Sequence, residues 1–507
     1  MPEATLAALD MLRAGGNALD GAITAAAVLG VVEPQSTGIG GDCFCLYKPH
    51  GKPLTALNGS GRSPAGLSMD ALKEAEISEL SPISPHTVTI PGALSAWEAL
   101  LAAHGRKGLD EVLQPAIRFA EEGYVVAPRV ALDWQIWQEK LRAAGTHDLL
   151  FDNAAPSTGQ LMRLPALAAT LRKIASGGAK AFYEGELAAA MVQALRARGG
   201  LHTEPDFANG LRSAEFVPPI STTFAGHNVW ECPPNGSGVV ALMIMAILDG
   251  FTPEAGADPL DPLRLHRHIE AARLAYRDRD AFLADPVAMP VSVAQLLSPN
   301  YIIGLRSLID DEMARSDLPP PGELAGNTVY ISVVDEDGNA CSFINSLFQE
   351  FGSGIMAPAT GVLLHSRGRG FRMQRGHPNC IGPNKRPMHT IIPSMATKAE
   401  RAELVFGVMG AHYQPMGQSW VLSNILQYGC DPQEAIDLPR FFPYDGKVEV
   451  EDTIPAALRA ALAAKGHIIA ADLPIPHGGA QAIRIDHERG ILIGGSDPRK
   501  DGCALGY

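Results

Sequence analysis

The sequence predicts an α/β protein, built as one large domain or two intimately packed ones, and three observations carry that prediction. Small and apolar residues recur at helical spacing in "EATLAALDMLRAGGNALDGAITAAAVLGVVEP". Short β-type runs stand at "CFCLYKP" and "PLTALNG" and return after Thr328. At 507 residues and 46% hydrophobic, the chain is too long for one simple core.

Taken in order, the first segment reads as two helices, the first closed by Gly15-Gly16, which should pack on a sheet. The turn "HGK" between the first two β-type runs predicts a hairpin. From "PGALSAWEALLAAHG" to "HIEAARLAYRDRDAFLADP" the chain reads as helix-rich, with one β segment at "HNVWECPP". A loop containing Pro319 to Pro321 then leads through Gly326 and Asn327 into "TVYISVVDEDGNACSFINSLF". That stretch is two β-type runs joined by Asp337-Gly338-Asn339, residues that tolerate positive φ, so it predicts a second hairpin. No repeat or low-complexity tract is present.

Charge and composition exclude several classes. A net charge of −14 and a pI near 5.5 argue against nucleic-acid or anionic-membrane partners, which need a basic face. Seven scattered cysteines (Cys43, Cys45, Cys232, Cys341, Cys380, Cys430, Cys503) give neither a disulfide framework nor paired metal knuckles, and reduced thiols in a cytoplasm are expected. The N-terminus has no cationic region followed by an apolar one, and no run of about 18 apolar residues occurs, so neither a signal peptide nor a membrane span is read.

Most candidate chemistry falls away on spacing. "TGIGGD" (Thr37 to Asp42) lacks the spacing of a phosphate cradle and precedes a strand. His266 and His268 point about 200° apart on a helix and do not share a metal readily. His365, His377, His389 and His412 lie in glycine-rich loops with no GxSxG elbow, and are expected to be solvated or to pack loops. Thr328 has more to offer. Were the Asn327–Thr328 bond broken, one residue would hold a hydroxyl nucleophile and an α-amine base whose ordinary pKa is about 7.7 to 8. Thr328 reads equally as the β-branched first residue of a strand, and spacing does not choose between the two.

"AGNTVYISVVDEDGNACSFINSLFQEFGSGI" resembles the nucleophile segment of the γ-glutamyltransferase family, self-cleaving members of the N-terminal nucleophile (Ntn) hydrolases. The resemblance extends in order through "RAGGNALDGAI", "EPQSTGIGGDCF", "TVTIPGALSAW", "ECPPNGSGVVAL", "AYRDRDAFLADP", "GPNKRPMHTIIPS" and "GGSDPRKDGCALGY". It implies a four-layer αββα fold and a precursor cut before Thr328 into a large subunit, 1–327, and a small subunit, 328–507, that stay together. A homo-oligomer of that processed heterodimer is an open expectation. The resemblance also implies a β-strand ahead of the first helix, where this sequence has only Met1. By resemblance Thr328 is the nucleophile, Ser346 the second hydroxyl near its amine, and Gly410 and Ala411 the backbone donors to an oxyanion. The last pair also reads as a plain tight turn.

The substrate side departs from the family's pattern. Positions where the family reads the glutamyl head group hold Phe348, Arg367, Gly370 and the pair His389-Thr390, with Ser60 at the arginine position and Arg62 two residues on. An acid is lost and arginines appear, which predicts poor γ-glutamyl recognition. "SLFQEFGSG", "SRGRGF" and "RPMHT" resemble instead the subgroup that includes oxamate amidohydrolase, with Arg367 and Arg62 as candidate carboxylate grips or, alternatively, loop braces. The expectation is thus a cytoplasmic enzyme, without metal or cofactor, that makes an acyl ester on Thr328 from a small amide and passes it to water or an amine. A non-catalytic homologue that never matures is the alternative from another class.

Overall fold

Local sequence signals set the first layer. In the computed structural model, which describes residues 1–318, 326–470, 473 and 475–507, helix α1 (Pro2–Arg13) and helix α2 (Ala18–Val32) form as their spacing predicts. Asn17 caps α2 by accepting from the Leu19 and Asp20 N–H groups, while the Asp20 carboxylate accepts from the Asn17 N–H. The Ala18 N–H donates to Asp335, in the turn of the second predicted hairpin, over 2.8 Å. The loop of Pro319 to Pro321 lies outside the described residues.

Two sheets follow. Strands β1 (Asp42–Lys48) and β2 (Thr55–Gly59) form the first hairpin, and β3 (Glu215–Val217) adds to its outer edge. The second sheet begins with β4 (Ile220–Phe224) and β5 (His227–Glu231). After residue 326 come β6 (Asn327–Val334) and β7 (Ala340–Phe348), then β8 (Ser394–Lys398), β9 (Arg401–Met409), β10 (Gly479–Asp486) and β11 (Ile491–Ser496). The first sheet runs β3-β2-β1-β7-β6 and the second β11-β10-β9-β8-β5-β4, so each contains strands from both sides of residue 327. The middle of the chain therefore holds more strand than the single predicted segment, including the pair Tyr124–Val125 and Leu161–Met162. These strands are only two to five residues long, too short for a period of two to stand out in the sequence.

The layers are helix, sheet, sheet, helix, as the resemblance implied. Cys43, Cys45 and Tyr47 of β1 and Val329, Ile331 and Val333 of β6 face α2 and helix α3 (Ala93–His104). Phe44, Leu46, Tyr330, Ile344, Met395, Val405 and Met409 face inward and fill the space between the sheets. Leu404, Phe406 and Val408 turn to the far side, against α4 (Gly238–Leu248), α5 (Pro262–Phe282) and α6 (Gln414–Leu426). The sheets approach so closely that a Cβ on Gly407 would come within 2.4 Å of the Tyr330 ring. No helix among the described residues is long and apolar enough to cross a membrane.

The same alternation decides the site. Even-numbered residues of β1, β6 and β7 point between the sheets, and these include Asp42, Thr328 and Ser346. Phe44 bridges core and site, with its ring centroid 4.9 Å from that of His389. Phe44→Ala is expected to cost about 3–5 kcal/mol and to release the His389 ring. A thermal melt reads the loss, and an unchanged midpoint would count against this packing.

Candidate active site

Thr328 sits where the ladder between β6 and β7 slips. Asn327 pairs with Phe348 but Val329 pairs with Asn345, so Thr328 alone faces two residues, Ser346 and Leu347, of a bulge in β7. In the uncut chain the Thr328 Oγ1 lies 2.7 Å from the Asn327 carbonyl oxygen and 3.0 Å from the Ser346 Oγ. Ser346 Oγ is itself 3.0 Å from that same carbonyl oxygen and accepts the Phe348 N–H at 2.8 Å. Both hydroxyl protons can thus reach the carbonyl of the peptide bond that precedes Thr328. Thr328 is 1% exposed, which keeps that contact out of bulk water.

Gly410 and Ala411 form the turn between β9 and α6, with φ of 128° and 47°. Gly326 lies against this turn: a Cβ there would stand 3.4 Å from the Ala411 Cβ and 2.5 Å from the Phe348 carbonyl. The turn therefore lies beside the segment that enters the Asn327–Thr328 peptide and leads into α6. The first residue of α6, Gln414, was not singled out in the sequence. Its Nε2 lies 3.5 Å from the Thr328 Oγ1.

Arg367, His389 and Thr390 come together beside Ser346. The Arg367 guanidinium is fully buried, donates to Thr390 Oγ1 at 2.9 Å, approaches Ser346 Oγ at 3.5 Å and stacks on the Phe348 ring at 4.0 Å. Its Nε has no partner, and among the described residues no carboxylate closes an ion pair with it. Burial pulls its pKa down to about 9, opposed by the charge of Asp42, so it stays cationic at neutral pH. Gly370 has no room for an acid, since a Cβ would stand 2.5 Å from the Met388 carbonyl.

Asp42, opposite Ser346 in the β1–β7 ladder, is the residue that spacing arguments passed over. It stands within "TGIGGD", and an acid entering an otherwise apolar strand was the available signal. Its Oδ1 accepts the Gly61 and Gly92 N–H groups at 3.1 Å each, and its Oδ2 lies 3.0 Å from His389 Nε2 and 3.5 Å from His365 Nδ1. The Ile391 N–H donates to His389 Nδ1, so the Nε2 carries the proton given to Asp42. Burial works against the Asp42 carboxylate, yet His365, the His389 hydrogen bond and Arg367 hold it down at about 2. Burial, and then the Arg367 charge, lower His389 to about 3. His365, His389 and His412 are all buried, so these histidines pack loops and none of the three is solvated.

Arg62 does not join this group. It is engaged by Asp285 at 3.1 Å, the Asn384 carbonyl at 3.2 Å and Glu215 at 3.7 Å, which braces the loops around it. A groove of about 1950 Å³ along β6 and the C-terminal segment touches Thr328, but Ser346, Arg367, His389 and Thr390 do not line it.

The comparisons agree with the motifs. A family model described as Gamma-glutamyltranspeptidase matches residues 4–507. The chain is 35% identical to a glutathione hydrolase-like proenzyme of Bacillus subtilis, over 98% of this chain and 95% of that one. It is 34% identical to the oxamate amidohydrolase proenzyme of Klebsiella pneumoniae, over 99% and 97%. Among solved structures, a cephalosporin acylase from Bacillus halodurans superposes with a TM-score of 0.92 at 40% identity, over 99% of this chain and 94% of that one.

The buried cluster sets a pH dependence. His389 at about 3 in the fold, against 6.5 ordinarily, means that the unfolded chain binds the extra proton, so stability is full above pH 6.5 and is lost as pH falls towards 3. Asp42 acts in the same sense, lower down, between 3.8 and about 2. His389→Asn should therefore flatten the fall in unfolding free energy between pH 7 and pH 4, read by denaturant titration at each pH, by up to about 1.4 kcal/mol per pH unit. Parallel wild-type and variant slopes would refute it.

Proposed function

The chain belongs to the gamma-glutamyltranspeptidase family, and from that premise we propose that it is a self-processing amide hydrolase or acyltransferase that matures by cutting itself between Asn327 and Thr328. The observation that carries this reading is the Asn327 carbonyl oxygen held between the Thr328 and Ser346 hydroxyls, at 2.7 and 3.0 Å. In processing, Thr328 Oγ1 adds to the Asn327 carbonyl carbon, the C–N bond breaks as its nitrogen takes up a proton, and water releases the resulting ester. This yields the large subunit, 1–327, and the small subunit, 328–507.

In turnover the freed α-amine of Thr328 takes the hydroxyl proton, Oγ1 attacks the substrate amide, and the leaving amine departs protonated. Ser346 positions the nucleophile, and the Gly410 and Ala411 N–H groups receive the oxyanion; alanine supplies the same backbone donor as glycine. The ester is then passed to water or to an amine. Localisation in a reducing cytoplasm is supported by seven free thiols, four of them buried.

For the substrate, Arg367 favours a small amide bearing a carboxylate. A buried cation with a free Nε and, among the described residues, no ion-pair partner is costly until an anion meets it. Phe348 supports its flat face and Thr390 fixes its edge, while His389 acts from behind through Asp42. The relatives named for oxamate and for glutathione hydrolysis mark the two alternatives.

Wild-type protein on a denaturing gel is expected to give two bands, the smaller beginning Thr-Val-Tyr-Ile, and Thr328→Ala to remain whole and inactive. A persistent single wild-type band would overturn self-processing and favour a non-catalytic homologue, and normal cleavage of Thr328→Ala would move the nucleophile elsewhere. On processed enzyme, kcat/KM for oxamate and des-amino glutaryl amides should exceed that for matched γ-glutamyl amides by about ten- to a hundredfold, and Arg367→Gln should erase the preference. A tenfold advantage for the γ-glutamyl compound would reverse the pocket assignment.

A further inference from the structure

Gln414 is fully buried at the first position of α6, immediately after the turn that flanks the Asn327–Thr328 peptide. Its amide is held by an unusual grip. The Ile392 N–H donates to the Gln414 Oε1 at 3.1 Å, and one helical turn on, the Gln418 Nε2 donates to the Ile392 carbonyl at 2.8 Å. A flipped Gln414 would set its NH₂ against the Ile392 N–H, donor against donor, so the Nε2 must face Thr328. There it meets the Thr328 Oγ1 at 3.5 Å.

We propose that Gln414 is a catalytic residue whose Nε2–H stabilises the Thr328 oxygen as it leaves the acyl-enzyme. The proposal rests on Thr328 being the nucleophile. In that step a water oxygen bonds to the acyl carbon and its proton passes to the Thr328 α-amine. The C–Oγ1 bond then breaks, its electron pair goes to Oγ1, and the α-ammonium returns the proton. Negative charge builds on Oγ1, and the Gln414 N–H is the rigidly aimed donor there. Ser346 has one proton for two acceptors, and the Gly410–Ala411 turn serves the carbonyl oxygen. A 3.5 Å approach to a neutral hydroxyl shortens when the oxygen becomes anionic, because charge-assisted hydrogen bonds are shorter and stronger.

The test uses processed wild type, Gln414→Met and Gln414→Glu with a chromogenic anilide that the wild type turns over, quenched in acid for intact mass. Gln414→Met should lose roughly a hundredfold in kcat, with KM falling in parallel and an acyl adduct accumulating on Thr328 of the small subunit. Gln414→Glu keeps an acceptor for Ile392 and should behave likewise at high pH, regaining kcat as pH falls and the carboxyl becomes a donor; it carries the test if Gln414→Met does not mature. Wild-type kcat in either variant at high pH, or equal losses in kcat and kcat/KM without an adduct, would overturn the assignment. Failure of the underlying reading looks different, since the wild type itself would then lack a Thr328 N-terminus or carry its adduct on another residue.

Discussion

One carbonyl oxygen shared by two hydroxyls is the contact on which the rest of the site depends. It exists because the β6–β7 ladder slips by one residue at Thr328, freeing that backbone from regular pairing while the period of two still turns its side chain between the sheets. A regular ladder would engage the same peptide in pairing. Asn327, Thr328 and Ser346 are all buried, so each hydrogen bond at the junction acts at low dielectric.

The surrounding backbone is under strain. Phe348 and Ala411 adopt φ of 78° and 47°, conformations that cost L-residues about 1–3 kcal/mol each. Both flank the Asn327–Thr328 peptide, and both are fixed by what they touch: Phe348 by the Arg367 guanidinium over its ring, Ala411 by the helical turn that it opens. Beside them, Asp42, His365, His389 and Arg367 hold charge and imidazole in a space without solvent, an arrangement kept by two backbone donors to one carboxylate oxygen and His389 on the other. The price in folding energy is a site that needs little reorganisation when substrate arrives.

Much of this was legible in the sequence, for identifiable reasons. Helices α1 and α2 and both hairpins announced themselves through periodicity and turn residues, and Thr328 and Ser346 through their resemblance to a known nucleophile segment. Asp42 and Gln414 left weaker marks. What matters about them is a partner far away in the chain: His389 for Asp42, and Ile392 and Thr328 for Gln414. No local pattern encodes such meetings. For His365, His389 and His412 the sequence left solvated and loop-packing readings side by side, and the fold, by burying all three, takes the second. Arg62 shows the converse, a promising neighbour in sequence that Asp285, Asn384 and Glu215 of β3 claim.

The interleaving of the sheets has a mechanical consequence. Strand β1 precedes residue 327 and pairs with β7 along seven residues, while β5 precedes it and pairs with β8 along four. A chain severed before Thr328 is two molecules by covalent count and one by topology. Its halves have no interface to slide apart on, because separating them means unzipping the interior of both sheets. Exchange of partners between copies of such a cut chain would have to break the β1–β7 and β5–β8 ladders, and so pass through unfolding.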